Sequence, residues 1–137
     1  MAGSDGNANN EFIELYNPGE SAVSLTGWSI QKKSSGGGES ALVSKSRFEG
    51  KEIKPHGYFL IAHEGSYIGS VVPDLTWPVS YNIAYTNNAI ALYNGSGAKI
   101  EEVHWDEIPA GESFVRSSWS DATFSLQPPT PQNSASN

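Results

Sequence analysis

The clearest pattern of apolar and polar positions is the run Glu11 to Tyr16. Successive side chains of a strand point to opposite faces. Ile13 and Leu15 then share one face, and Phe12 and Tyr16 share the other with Glu14 between them. Apolar groups on both faces predict an interior strand. Asn17-Pro18-Gly19 stops it, because proline lacks the ladder N–H and glycine takes a positive φ. Val23 and Leu25 form a short apolar alternation, and Thr26-Gly27 turns the chain into Trp28. Trp28 and Ile30 fall on one face of a strand over about 28–33. A second run with two apolar faces, Tyr58 to Ala62, follows the turn Lys54–Gly57. These two runs are the expected centre of the fold.

Ala41–Val43 and Arg47-Phe48 read as short strand pieces, and residues 64–82 as a long crossover laying apolar groups over a core edge. Ala89–Tyr93 is a strand with Ile90 and Leu92 on one face. Asn94-Gly-Ser-Gly97 is a tight hairpin signal. Its partner strand runs over about 99–105, where Ile100 and Val103 are out of phase and imply a bulge near Glu101-Glu102. Ser113–Arg116 and the group Ala122, Phe124, Leu126 close the apolar pattern. No stretch has a 3.6-residue apolar stripe, and nothing repeats at a fixed period. Short strands with Gly, Pro and Asn turns predict an all-β fold packed in two layers, a β-sandwich of short antiparallel and mixed strands.

The block Asn10-Glu-Phe-Ile-Glu-Leu-Tyr-Asn-Pro18, followed by Leu25-Thr-Gly-Trp28, resembles the lamin tail domain family. The likeness continues through Ile53–Ala62, Asn88–Tyr93 with Gly97, Ile100–Trp105, Gly111–Arg116 and Pro129-Thr-Pro131, covering residues 10–133. It implies an immunoglobulin-like β-sandwich, found at the C-terminus of nuclear lamins and in bacterial secreted or surface proteins. It also implies a non-catalytic accessory or interaction module, in which the Glu-x-x-Glu pattern of Glu11 and Glu14 is structural. The expected organisation is a loose segment 1–9, one domain over 10–127, and a Pro/Ser/Asn-rich tail over 128–137. The family has a further strand before the Glu-Phe-Ile-Glu-Leu-Tyr block. Apart from Met1, residues 1–9 carry no β-branched or large apolar side chain with which to replace it. Such a gap predicts strand-edge self-association, or filling by the Ser125–Asn137 tail.

Composition narrows the function classes. The 137 residues suffice for one independently folding core. Cysteine is absent, which excludes a disulfide scaffold and a thiolate metal site. No apolar run approaches the roughly 20 residues of a membrane-spanning helix. The expected location is extracellular or at the cell surface, with any targeting signal outside this sequence; the lamin likeness makes a nuclear location the alternative. The net charge of −7 argues against nucleic-acid binding, which rests on neutralising phosphates; a nucleic-acid-associated module, as the lamin likeness implies, is an alternative reading.

Two groups of residues are candidate binding surfaces. Trp77, Tyr81, Tyr85 and Trp119 lie near turns and are expected to form an aromatic platform for a glycan or cell-wall ligand. Lys32, Lys33, Lys45, Arg47, Lys51 and Lys54 are expected to gather beside the Gly36–Gly38 loop as a basic patch for a protein or surface partner, a neighbouring domain included. No nucleophile or catalytic pair is in place: Gly111-Glu-Ser113 does not complete a Gly-x-Ser-x-Gly elbow. No cofactor or metal is implied. Glu102, His104 and Asp106 would share a strand face, but the expected reading of that face is a charged edge facing solvent.

Overall fold

A computed structural model describes residues 2–4, 7–33, 38–64, 67, 71–78, 81, 86–108, 113–116, 124–127 and 133–135. Its elements are β1 (Ala2–Ser4), β2 (Asn7–Tyr16), β3 (Val23–Ser24), β4 (Ser29–Lys33), β5 (Glu39–Val43) and α1 (Lys45–Phe48). They continue with β6 (Glu52–Ile53), β7 (Tyr58–His63), β8 (Leu75–Trp77), β9 (Thr86–Tyr93), β10 (Lys99–Glu107), β11 (Ser113–Arg116) and β12 (Phe124–Gln127). Among the described residues the secondary structure is all-β apart from the four-residue helix.

The two runs with apolar groups on both faces find each other. Leu15 stands opposite Phe59 and Ile13 opposite Ile61 in the antiparallel β2–β7 pair, at the centre of a sheet ordered β1-β2-β7-β8. A second four-stranded sheet is ordered β10-β9-β4-β5. Two small pairs, β3–β6 and β11–β12, complete the pairing. One core cluster draws on both large sheets: Ile13, Phe59, Ile61 and Trp77 from the first, and Ile30, Leu42, Val43 and Trp105 from the second.

The segment around Asn17 explains why the Tyr-Asn-Pro-Gly sequence follows a central strand. The Asn17 side chain is buried and donates to the carbonyls of Ser21, Ile53 and Lys54, while its Oδ1 accepts from the Gly19 amide. One amide thus satisfies backbone groups of two turns at once, as burial requires. Gly27 has a different role. At φ 84° it is in the left-handed region, and a Cβ there would lie 3.1 Å from the Gly95 Cα. The two turns pack backbone on backbone, which only glycine permits. The Asn94–Gly97 turn is tied by Asn94 Oδ1, which accepts from the amides of Ser96 and Ala98.

Several expectations are corrected. Residues 1–9, read as loose, contain β1 and the start of β2, paired in register Ala2↔Glu11 and Ser4↔Asn7. Strand pairing is made by backbone groups, so an edge strand needs no apolar side chains. Lys45–Phe48, read partly as strand, is one helical turn, too short to display a period; it exists to drive Phe48 into the core at 0% exposure. The crossover over 64–82 contains β8, which pairs in parallel with β7 through Ile61↔Leu75 and His63↔Trp77. The other part of that crossover acts as expected: Tyr67 and Val71 pack over Phe12, Leu60 and Ala62 on the far side of the β2–β7 pair. The bulge in β10 lies between Lys99 and Glu101, at Ile100.

Candidate functional site: the outer face of the second sheet

Register decides which side chains meet on the face of the β10-β9-β4-β5 sheet that points away from the core. Ser29, Gln31 and Lys33 of β4 stand opposite Tyr93, Ala91 and Ala89 of β9. Ala91 and Ala89 stand in turn opposite Glu102 and His104 of β10. On the other side of β4, Gln31 and Lys33 stand opposite Ala41 and Glu39 of β5. Of the alternate residues, Ile30 belongs to the core cluster, and Ile90, Leu92 and Val103 pack against it. The outer face therefore has a strip of small residues down its middle, with long polar side chains around it.

Those polar side chains interlock. Lys33 Nζ lies 3.1 Å from Glu102 Oε1 and 3.8 Å from Glu39 Oε2, so one ammonium joins β4 to both edge strands. Lys99 donates to Glu102 Oε2 and lies 3.9 Å from Glu39. Tyr93 donates its hydroxyl to Glu39 Oε1 at 2.8 Å, reaching from β9 across β4 to β5. His104 Nε2 contacts the Glu102 carboxylate. This roof explains how Ala91 and Ala89 reach 0% and 2% exposure on an outer face. Hydrogen bonds from Lys99 and Lys33 hold the Glu102 carboxyl down at about 2, against an ordinary 4.5. The same partner pushes the Lys99 ammonium up. The Tyr93 hydroxyl is pushed up by its hydrogen bond to Glu39.

Beside this network is a shallow groove of about 230 Å³ lined by Ser29, Gln31, Glu39, Lys45, Tyr93, Asn94 and Gly97. Register places a small residue on each side of Gln31, Ala41 on β5 and Ala91 on β9. Glu39 and Tyr93 are committed to one another and form a fixed wall. The Gln31 amide, the Ser29 hydroxyl and the Lys45 ammonium have no side-chain partner among the described residues. The groove thus has fixed walls and uncommitted hydrogen-bonding groups.

The residues singled out from sequence are placed differently. Trp77 is 0% exposed in the core, with His63 edge-on against it and its indole N–H donated to the Tyr81 carbonyl at 3.0 Å. It cannot present a ring face to a glycan, because the parallel pairing of β8 with β7 turns it inward. Tyr81 is 40% exposed, and Lys32 Nζ is 5.8 Å from its ring centre. Tyr85 and Trp119 lie outside the described residues. The six basic residues are divided. Lys32 and Lys33 take opposite faces of β4, and Lys33 is held by carboxylates. Lys45 is on the groove. Arg47 donates to the Thr76 carbonyl at 2.8 Å and lies 3.7 Å from Glu64, tying α1 to β8. Lys51 and Lys54 are exposed in the turns flanking β6, where their carbonyls accept from Leu25 and from Gly57 and Asn17. Of the loop expected beside them, only Gly38 is described. Glu102 and His104 share a face as expected, but the carboxylate is claimed by lysines. Among the described residues, no group of three or more His, Cys, Asp or Glu side chains is placed to hold a metal ion.

Sequence reasoning missed Gln31, Ser29, Glu39, Tyr93, Asn94 and Gly97 as a group. A signal existed in Ala89-Ile-Ala-Leu-Tyr93, where alternate alanines mark a strand face with room above it.

The model of the lamin tail domain matches residues 1–107, from β1 to the end of β10. The chain belongs to the lamin tail domain family. The match begins before the Glu-Phe-Ile-Glu-Leu-Tyr block, so β1 lies within it, whereas β11, β12 and the later resemblance blocks lie beyond. The chain matches no curated protein. Membership of that family supports a non-catalytic accessory or interaction role. No helix among the described residues is long and apolar enough to cross a membrane.

Proposed function

We propose that this lamin tail domain is an attachment module of a larger, exported bacterial protein, with an immunoglobulin-like two-layer sandwich as its scaffold. Its outer β10-β9-β4-β5 face meets a protein or cell-surface partner. The observation that carries the reading is the pre-ordered polar network on that face, in which Lys33, Glu39, Tyr93, Lys99 and Glu102 link four strands. Side chains already held in place lose little freedom on binding, and rigid polar surfaces favour specificity over raw affinity. Shared core residues from both sheets support the two-layer scaffold. A nucleic-acid reading has less support, because the cations nearest the centre of the face are already matched by carboxylates on a chain of net charge −7.

The test is sedimentation of the labelled chain with bacterial envelope fragments. Saturable binding is expected, weakened by Lys99→Glu and unchanged by Lys54→Glu. Absence of saturable binding overturns the reading. So does hydrolysis of a phosphoester, glycoside or peptide by the isolated chain that a single carboxylate substitution abolishes.

A further inference from the structure

We infer that the groove over Gln31 is a binding site for the uronic-acid end of a saccharide: one sugar ring carrying hydroxyls and a carboxylate. The inference rests on the attachment reading and names the ligand chemistry of the same face. The groove's volume of about 230 Å³ suits a single ring rather than an extended chain.

Its chemistry is specific in three ways. The Gln31 side chain supplies a planar amide, with donor and acceptor side by side, in a gap between Ala41 and Ala91. An amide pairs naturally with neighbouring hydroxyls, each of which both donates and accepts. The Ser29 hydroxyl adds a second neutral contact on the same strand and face. Lys45 supplies an ammonium with no carboxylate partner among the described residues, on a face whose other lysines, Lys33 and Lys99, are matched by Glu39 and Glu102. A charge-assisted bond from Lys45 to a ligand carboxylate is the strong contact, and the neutral groups set orientation.

The carboxylate of Glu39 does not repel such a ligand strongly. It already accepts from Tyr93 and lies within 3.9 Å of both Lys33 and Lys99. The Tyr93–Glu39 bond also fixes the wall of the groove before any ligand arrives, so little ordering accompanies binding. Among the described groove residues, Gln31, Ser29 and Lys45 have no side-chain hydrogen bond, and Asn94 uses only its Oδ1.

The test is titration of the isotope-labelled chain, followed by amide shifts, with four probes. These are a glucuronate-ended oligosaccharide, free glucuronate, the neutral glucose-ended oligosaccharide and a short peptide with a free C-terminal carboxylate. The glucuronate-ended oligosaccharide is expected to give saturable shifts centred on Gln31, Lys45, Asn94 and Gly97. The neutral probe is expected to bind about tenfold more weakly, as loss of one charge-assisted bond implies. Free glucuronate binding as tightly as the oligosaccharide marks the single ring as the whole ligand; weaker binding marks a glycan end, and both outcomes support the site. Gln31→Ala and Lys45→Ala should each weaken binding about tenfold, with an unchanged spectrum elsewhere. Lys51→Ala should leave binding unchanged. No saturable shift with either uronate probe overturns the proposal. Equal affinity for the neutral probe, or tighter binding of the peptide, also overturns it. Envelope binding that survives Gln31→Ala and Lys45→Ala removes the uronate site and leaves the attachment module standing.

Discussion

The two large sheets share one core but finish their outer faces in opposite ways. On the β1-β2-β7-β8 sheet, Phe12, Leu60 and Ala62 are covered by Tyr67 and Val71 from the crossover before β8. Phe12 and Tyr67 meet edge to face, with ring centres 6.2 Å apart. On the other sheet, two alanines are covered by charged side chains of the strands themselves. The first solution removes apolar area from water and is worth kilocalories per side chain. The second is a set of ion pairs at the surface, where each pair contributes little. One face is closed by a separate segment of the chain, and the other is finished by polar side chains of its own strands. Under the attachment reading proposed above, stability and recognition fall to different faces.

The largest expected break in this comparison is Leu60→Ala. Leu60 is fully buried under the crossover, so its truncation should cost about 2–5 kcal/mol in chemical denaturation. It should also loosen residues 67 and 71, seen as faster amide exchange there. If the cost matches that of a surface substitution, the crossover is not a second core.

Asp74 comes next. Its carboxylate accepts from the Leu60 amide at 2.8 Å and from the amide and hydroxyl of Ser134, while its own amide donates to the Leu60 carbonyl. Asp74→Ala leaves the Leu60 N–H without this acceptor, at an expected cost of about 1–3 kcal/mol. Exchange of the Leu60 amide should accelerate more than that of its neighbours in β7. The same variant should release Ser134 and Asn133, whose side chain donates to the Val72 carbonyl. Unchanged protection at Leu60 would assign its order to strand pairing alone.

Glu102 probes the polar face. Its folded-state pKa, about 2, is below the ordinary 4.5, so its contribution is complete above about pH 4.5 and is lost as pH falls through about 2. Glu102→Gln should therefore remove part of the decline in stability between those values. At pH 7 its cost should stay within about 1 kcal/mol, reduced further by salt. A much larger cost at neutral pH would show the ionic roof to be as structural as the crossover.

Gln31→Ala should be the smallest change, within about 0.5 kcal/mol of the parent in denaturant. Gln31 has no side-chain partner among the described residues, so its loss should register in ligand binding alone. A clear loss of stability would place it in the fold rather than the groove.

The chain's own pattern determined much of this architecture. Ile13 and Leu15 against Phe12 and Tyr16 specified a central strand, because a strand's period of two leaves no other way to bury both sets. Asn94-Gly-Ser-Gly97 specified its hairpin through local chemistry that needs no distant partner. The Glu-Phe-Ile-Glu-Leu-Tyr-Asn-Pro and Leu-Thr-Gly-Trp blocks specified the family, and each carries a turn residue tied to a distant turn: Asn17 to Ile53, and Gly27 against Gly95. What local pattern could not determine was which faces meet. Trp77 resembled a surface ring until β8 paired in parallel with β7 and turned it inward. The side chains of residues 2–4 give no strand signal, whereas their pairing is made by backbone groups. Lys32 and Lys33 are adjacent in sequence, and strand alternation places them on opposite faces of β4. The groove depends on three strands and their register, with Ala41, Gln31 and Ala91 abreast. Register across non-adjacent strands is a property of the whole packed core, and only the tertiary structure decided it.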